Sequence, residues 1–285
     1  MVTGANGQLG KEIKKISASF DRPIAIGFEF IFLSREDLPV HHFEMVRQYF
    51  KTYHPQYLIN CAAYTNVDRA EQEKDMAFQV NGEAVGVLAA VCKENNCHFI
   101  HISTDFVFDG NTTTPYTELF PPHPINVYGE SKLEGEKQSL QLNPDSIIIR
   151  TSWLYSEFGK NFVRTMVKLM KEKEEINVVN DQFGSPTYAA DLADAILQII
   201  SSGNWKPGIY QFSNKGIIYW YDFAMAIKEL IGSNCKVNPI PTSQYPTPAK
   251  RPAFSVLDTS KIQETFGIRM KDWRDSLAAC LSRLK

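Results

Sequence analysis

The nine residues "VTGANGQLG" (2–10) set the terms on which the rest of the chain is read. They place Gly4, Gly7 and Gly10 three apart at the start of an amphipathic helical pattern. Glycines so spaced let the chain turn tightly, let its backbone approach a pyrophosphate, and let the helix lie close on the preceding strand. The helix N-terminus then offers free N–H groups and partial positive charge to phosphate. A glycine triplet alone is also what an ordinary turn looks like, so its context decides. Only Met1 and Val2 precede Thr3. A full central strand is expected ahead of such a loop, so a few residues are expected to be missing before Met1.

Working outward, short apolar runs alternate with helical stretches. "EFIFLS" (29–34), "QYLINCAA" (56–63), "HFIHIST" (98–104) and "SIIIRTSW" (146–153) read as strands. "FEMVRQYFKTY" (43–53) and "AFQVNGEAVGVLAAVCKEN" (77–95) read as helices. This order predicts an α/β fold, a doubly wound, Rossmann-like parallel sheet with helices on both faces. It also turns the glycine loop into a dinucleotide site.

After Trp153 the order loosens. "NFVRTMVKLMKEKEE" and "YDFAMAIKELIG" read as helices, "INVVND" and "GIYQFSN" as short strands, and "NPIPTSQYPTPAKRP" as a loop too rich in proline for regular structure. We expect a cofactor domain over 1–152 and a smaller, mainly substrate-binding α/β region over 153–285, some of whose segments return to the first.

Bulk properties narrow the function. The chain has 285 residues, 44% hydrophobic and 22% charged, a balance ordinary for a soluble globular protein. A net charge of −2 gives no reason to expect nucleic acid or an anionic membrane as partner. No apolar run approaches the roughly 18 residues that span a bilayer, and the N-terminus has no signal-peptide pattern. Five cysteines without C-x-x-C spacing read as reduced thiols of a cytoplasmic protein. Six histidines without ligand spacing give no metal site. No surface stripe marks an oligomer, which leaves a homodimer open.

The end of the second strand separates NAD from NADP. It reads "LSRED", with Ser34 and Arg35 ahead of Glu36 and Asp37. A carboxylate at the tip would bind a ribose 2′-hydroxyl, whereas serine and arginine suit a 2′-phosphate. The expectation is NADPH, with NADH as the alternative.

Two further stretches carry chemistry. "HISTDFVFDG" (101–110) ends a strand with Ser103, Thr104 and Asp105. Ligands of doubly wound sheets sit beyond the carboxyl ends of the strands. "INVYGESKLEGEK" (125–137) then sets Tyr128 one helical turn before Lys132, on one face. Alone, such a pair is an ordinary solvated helix surface. Behind the glycine loop and the Thr104 strand, in this order, hydroxyl, phenol and ammonium can converge on one carbonyl.

This combination resembles the extended short-chain dehydrogenase/reductase superfamily and, within it, the dTDP-4-dehydrorhamnose reductase family. The likeness runs nearly the whole length, through "TGANGQLG", "NCAAYTNVDRAE", "VN" (80–81), "STDFVFDG", "PINVYGESKLEGE", "RTSWLY", "VVNDQFGSPTY" and "RPAFSVLD". It implies that Gly4, Asn6, Gly7, Gln8, Leu9 and Gly10 hold the pyrophosphate, with Ser34 and Arg35 beyond. It further implies that Asp37 and Leu38 touch the adenine and that Ala62, Ala63 and Tyr64 lie along the cofactor. Thr104, Tyr128 and Lys132 would be the catalytic trio, with Tyr128 and Lys132 also contacting the cofactor. Asp105, Phe106, Trp153, Arg251 and the 181–187 loop would face the nucleotide sugar. Phe106 stands where the family often has tyrosine, so any hydroxyl contact from there is absent.

The implied reaction is NADPH-dependent reduction of the C4 ketone of dTDP-4-dehydro-L-rhamnose. Lys132 is expected to draw the Tyr128 pKa down, as an opposite charge does, and Thr104 to donate a second hydrogen bond to the carbonyl oxygen. Two other readings fit the same superfamily. A dehydratase or epimerase of nucleotide sugars is one, although dehydratases place glutamate after the Thr-Asp pair, where this chain has Phe106. A non-catalytic subunit, like the β subunit of methionine adenosyltransferase, is the other.

Overall fold

The computed structural model describes residues 1–18 and 27–284. The order is β1 (Val2–Thr3), α1 (Gln8–Ser17), β2 (Phe32–Leu33), α2 (Phe43–Tyr53), β3 (Tyr57–Asn60), α3 (Val67–Ala70), α4 (Lys74–Phe78), α5 (Ala84–Glu94), β4 (His98–Thr104), α6 (Val127–Leu142) and β5 (Ile147–Thr151). There follow β6 (Leu154–Tyr155), α7 (Phe162–Glu172), β7 (Glu175–Val179), β8 (Phe183–Gly184), β9 (Thr187–Tyr188), α8 (Ala189–Ser201), β10 (Gly208–Phe212), β11 (Ile218–Tyr219), α9 (Trp220–Leu230), β12 (Lys236–Ile240), α10 (Ser260–Phe266) and α11 (Trp273–Leu281). A π-helical turn (Gln79–Glu83) joins α4 to α5.

The main sheet runs β10-β5-β4-β3-β1-β2, with every pairing parallel. Its strands alternate sides because successive side chains of a strand point to opposite faces. Ile59 and Ile100 face the core made with α1 and α8. Leu58 and Phe99 face the core made with α2 and α5. After β1 the chain steps to β2 on one side, then returns to β3 on the other. That reversal opens a crevice above β1 and β3, where ligands of such sheets bind.

β1 is only two residues long, yet it is paired on both sides. Val2 N–H donates to Ile31 O, Ile59 N–H donates to Met1 O, and the Met1 amine reaches Tyr57 O at 2.8 Å.

The second half divides its residues between two cores. α8 packs on α1, and β10 and α10 complete the first core although they follow residue 152. α7, α9 and α11 enclose a separate core around Phe223, Ile227 and Leu277. α8 was not among the expected helices, although Asp191, Asp194, Gln198 and Ser201 recur at helical spacing; ten of its thirteen residues are buried. The proline-rich stretch departs from expectation at its start. Pro239 lies inside β12, a strand of a two-stranded sheet paired with β7, where an edge position tolerates the missing N–H. No helix among the described residues is long and apolar enough to cross a membrane.

Candidate active site

The glycine loop is built around a close backbone approach. Gly4 has φ +64°, and a Cβ there would lie 2.6 Å from Ala62 N. Only glycine fits both the conformation and the space. The loop therefore docks on residues 61–63 beyond β3 and brings the two sides of the crevice together. Gly7 begins α1 without a side-chain cap, and no acidic residue stands in the first turn. The N-terminal amides of α1 are left to a ligand, with Asn6 and Gly7 exposed beside them. Leu9 and Gly10 are buried beneath. Gln8 donates to Leu154 O at 3.5 Å and accepts from Asn161 at 2.8 Å, which ties the loop to the second half. A cradle of bare backbone with unspent donors fits a dinucleotide pyrophosphate.

At the tip of β2, Ser34 and Asp37 close a small turn. Ser34 N–H donates to Asp37 Oδ2 at 2.9 Å and Asp37 N–H to Ser34 Oγ at 3.3 Å. The Ser34 side chain, and with it the Ser34 N–H, holds the Asp37 carboxyl below its usual range. Arg35 is exposed, while Leu38 is buried in the core. Across the crevice Ala62, Ala63 and Tyr64 are half-buried. Asn81 clamps Tyr64, accepting from its N–H at 2.8 Å and donating to its C=O at 3.0 Å. The same side-chain amide donates to Ser131 of α6. Asn81 sits in the π-helical turn, a feature with no readable sequence signal.

α6 starts where Asn126 accepts from Gly129 N–H at 2.8 Å. Gly129 lets the helix touch the turn after β4, since a Cβ there would stand 2.1 Å from Phe106 O. That contact sets the Tyr128 phenol beside Thr104, close enough for the threonine hydroxyl to act on it. The Phe106 ring meets the Tyr128 ring edge-on at 5.8 Å. Thr104 is itself engaged, donating to Asp105 Oδ1 at 3.0 Å and accepting from Phe106 N–H at 3.2 Å. Burial pushes the Asp105 carboxyl up to about 6, and its Oδ2 has no partner.

Lys132 lies almost wholly inside, 1% exposed. Its Nζ donates to Ile102 O at 2.6 Å and stands 3.2 Å from His101 Nε2. Two expectations need correction here. Burial pushes the Tyr128 phenol up to about 12, with Thr104 pulling it down and Asp105 raising it further. Lys132 does not lower it, because its amine is turned to β4 and burial draws that amine down to about 8. The Thr104 hydrogen is spent on Asp105, so Thr104 must rotate before it can donate to a ligand.

Beside Phe106 a cavity of about 610 Å³ opens toward α7 and β7. Trp153, Arg251 and Gln182 line it. Asp181 turns away and accepts from Thr242. Arg251 is held by both oxygens of Asp68, at 3.1 and 2.9 Å. Trp153 adopts φ 46°, a strained backbone for a large residue. Its indole stacks on Trp220 at 3.5 Å and 9°, and the bare backbone of Gly184 leaves room on its other side. Trp220 was missed from sequence because it follows Trp153 by 67 positions.

Behind Lys132, Glu136 takes a forked pair of bonds from Arg150 at 2.9 and 2.6 Å and a third from Ser103 at 2.5 Å. Both charges are buried.

The family described as RmlD substrate binding domain matches residues 1–285. The chain is 42% identical to the dTDP-4-dehydrorhamnose reductase of Aggregatibacter actinomycetemcomitans, over 97% of this chain and 96% of that protein. A crystal structure of a dTDP-4-dehydrorhamnose reductase from Clostridium acetobutylicum superposes with TM-score 0.94 at 40% identity, covering 99% of this chain and 98% of that one. One from Bacillus anthracis, in complex with NADP, gives 0.92 at 35% identity, covering 99% and 97%. Motifs, sheet order and these likenesses agree, and the chain belongs to the RmlD substrate binding domain family, together with the dTDP-4-dehydrorhamnose reductases.

Proposed function

We infer that this protein reduces the C4 ketone of dTDP-4-dehydro-L-rhamnose, using NADPH. The observation that carries the inference is the packing of the Tyr128 end of α6 on the turn from Thr104 to Phe106, with Lys132 one helical turn along, at the mouth of the glycine-loop crevice. Bound NADPH supplies the hydride for the ketone carbon. The α1 N-terminus and residues 4–10 would hold its pyrophosphate, Ser34 and Arg35 its 2′-phosphate, and residues 62–64 its length. Asp37 would serve the adenine end, with Leu38 supporting that wall from the core.

As the carbonyl is reduced, negative charge gathers on its oxygen. Tyr128 is protonated throughout the neutral range, because burial holds its pKa high. It is a weak acid, yet a much stronger one than the alcohol that forms, so proton transfer runs to the substrate. Thr104 adds a hydrogen bond once its hydroxyl leaves Asp105. Lys132 would hold the cofactor ribose when its amine turns from Ile102 O. The cavity beside Phe106, with Trp153, Gln182 and Arg251, would take the nucleotide sugar. We assign residues 1–152 mainly to the cofactor and 153–285 mainly to the sugar nucleotide.

Five free thiols suit the cytoplasm.

The test is oxidation of NADPH, followed by absorbance, on mixing the protein with dTDP-4-dehydro-L-rhamnose. Turnover is expected, with NADH weaker if Arg35 binds the 2′-phosphate. Absence of NADPH oxidation would overturn the assignment, and stoichiometric NAD retained through purification would favour an epimerase.

The Trp153 wall gives a second expectation. Trp220→Ala removes the stacking partner, a contact of about 0.5–1.5 kcal/mol beyond buried area. The sugar-nucleotide KM should rise roughly three- to tenfold while the NADPH KM stays put. Equal effects on both would argue against a local role.

A further inference from the structure

Thr3, Asn60 and His101 are register partners on three adjacent strands, β1, β3 and β4. All three are buried, and they end at Lys132. The direction of each hydrogen bond along this row can be deduced. The Ala62 backbone N–H can only donate, and it reaches Asn60 Oδ1 at 3.2 Å, as does the Thr3 hydroxyl at 2.7 Å. These contacts fix which way the Asn60 amide faces. Its Nδ2, which can only donate, therefore meets His101 Nδ1 at 3.1 Å. Nδ1 must accept, so the ring hydrogen is on Nε2. Nε2 lies 3.2 Å from Lys132 Nζ. An ammonium has no lone pair, and two N–H groups would oppose each other there. A neutral amine accepts from Nε2–H and still donates to Ile102 O at 2.6 Å.

We propose that Asn60 and His101 are positioning residues: Asn60 locks His101 as the Nε2–H tautomer, and His101 in turn holds Lys132 as a neutral amine until a ligand enters the crevice. The surroundings agree. Burial draws the His101 pKa well down, which keeps the ring neutral. Burial draws Lys132 down only to about 8, so it is the Nε2–H facing the amine at 3.2 Å that must remove the proton at neutral pH. The charges facing Lys132 from its other neighbours are Glu136 on α6 and Cys61 after β3, and both favour the ammonium. Glu136 is committed to Arg150. Burial pushes the Cys61 thiol up to about 12, so it stays neutral. Among the described residues neither makes a hydrogen bond to the amine, whose partners are Ile102 O and the ring. A catalytic lysine so held has its proton set by a histidine that no substrate touches. That consequence rests on the catalytic role proposed above for Lys132, whereas the tautomer does not.

The tautomer is read directly by 15N NMR of histidine-labelled, ligand-free protein, with His101→Asn to assign the signal. Protonation on Nε2 alone is expected across roughly pH 6 to 9. A hydrogen on Nδ1, or a doubly protonated ring, overturns the proposal. The second arm is the pH profile of NADPH-dependent turnover. In Asn60→Asp the carboxylate accepts from Nδ1–H, which frees Nε2 to accept from the lysine ammonium. The alkaline limb should move up by about one pH unit or more, a tenfold change in proton affinity. His101→Gln, whose amide can turn its oxygen to Lys132, should move it the same way and serves if Asn60→Asp does not fold. An unmoved limb in folded variants refutes the control of Lys132. Wild-type protein with no turnover would refute the reductase assignment instead, and NMR would still decide the tautomer.

Discussion

Tyr128→Phe should abolish turnover while leaving NADPH affinity nearly unchanged. The substitution removes one oxygen, that of the phenol on which Thr104 acts. The ring keeps its edge-on contact with Phe106, so the crevice keeps its shape. General acid catalysis by a positioned side chain contributes about 10²–10⁴-fold, and that is the expected loss in kcat. Cofactor binding is measured separately, by fluorescence of bound NADPH. Residual activity above a few per cent would show that the proton comes from elsewhere. Asp105, already partly protonated near neutrality because burial holds it at about 6, would then be the group to examine.

Glu136→Gln should be the most destabilising single change near the site. Arg150 and Glu136 are 1% and 2% exposed as a pair, and Arg150 NH1 already lacks a partner. Neutralising the carboxylate leaves a guanidinium buried without its counter-charge. Breaking such a pair from one side costs about 3–5 kcal/mol. Urea unfolding should show that loss as a lowered midpoint at unchanged slope. The pair also adjoins the active site, since Ser103 donates to the same carboxylate and Glu136 favours the Lys132 ammonium. A loss below about 1 kcal/mol would mean that the Arg150 charge is compensated by the Phe108 ring beneath it, 5.1 Å away.

Much of this was written along the chain. Gly4 and Gly10 announce a backbone cradle because steric space, and at Gly4 also φ, leave no room for a side chain there. The apolar runs at 98–104 and 146–153 announce buried parallel strands because both their faces are covered. Tyr128 and Lys132 share a helix face by spacing alone. Relations between distant segments were not legible. Asn60 and His101 looked like polar residues inside strands, and only the register of β3 on β4 made them partners. Trp220 lies far from Trp153 in sequence, and the stack forms only when α9 closes against the turn after β5. The expected Lys132 effect on Tyr128 failed for a similar reason. Spacing places two side chains on one face, but it does not say that a strand carbonyl will capture the amine first.

The sequence by itself determined the fold class, the glycine cradle and which side chains stand as candidates at the crevice, because these follow from periodicity, glycine sterics and side-chain chemistry. Only the tertiary structure decided the direction of hydrogen bonds, the burial of Lys132 and the shape of the cavity beside Phe106. Those depend on burial and on contacts across strands, which the linear order of residues does not specify.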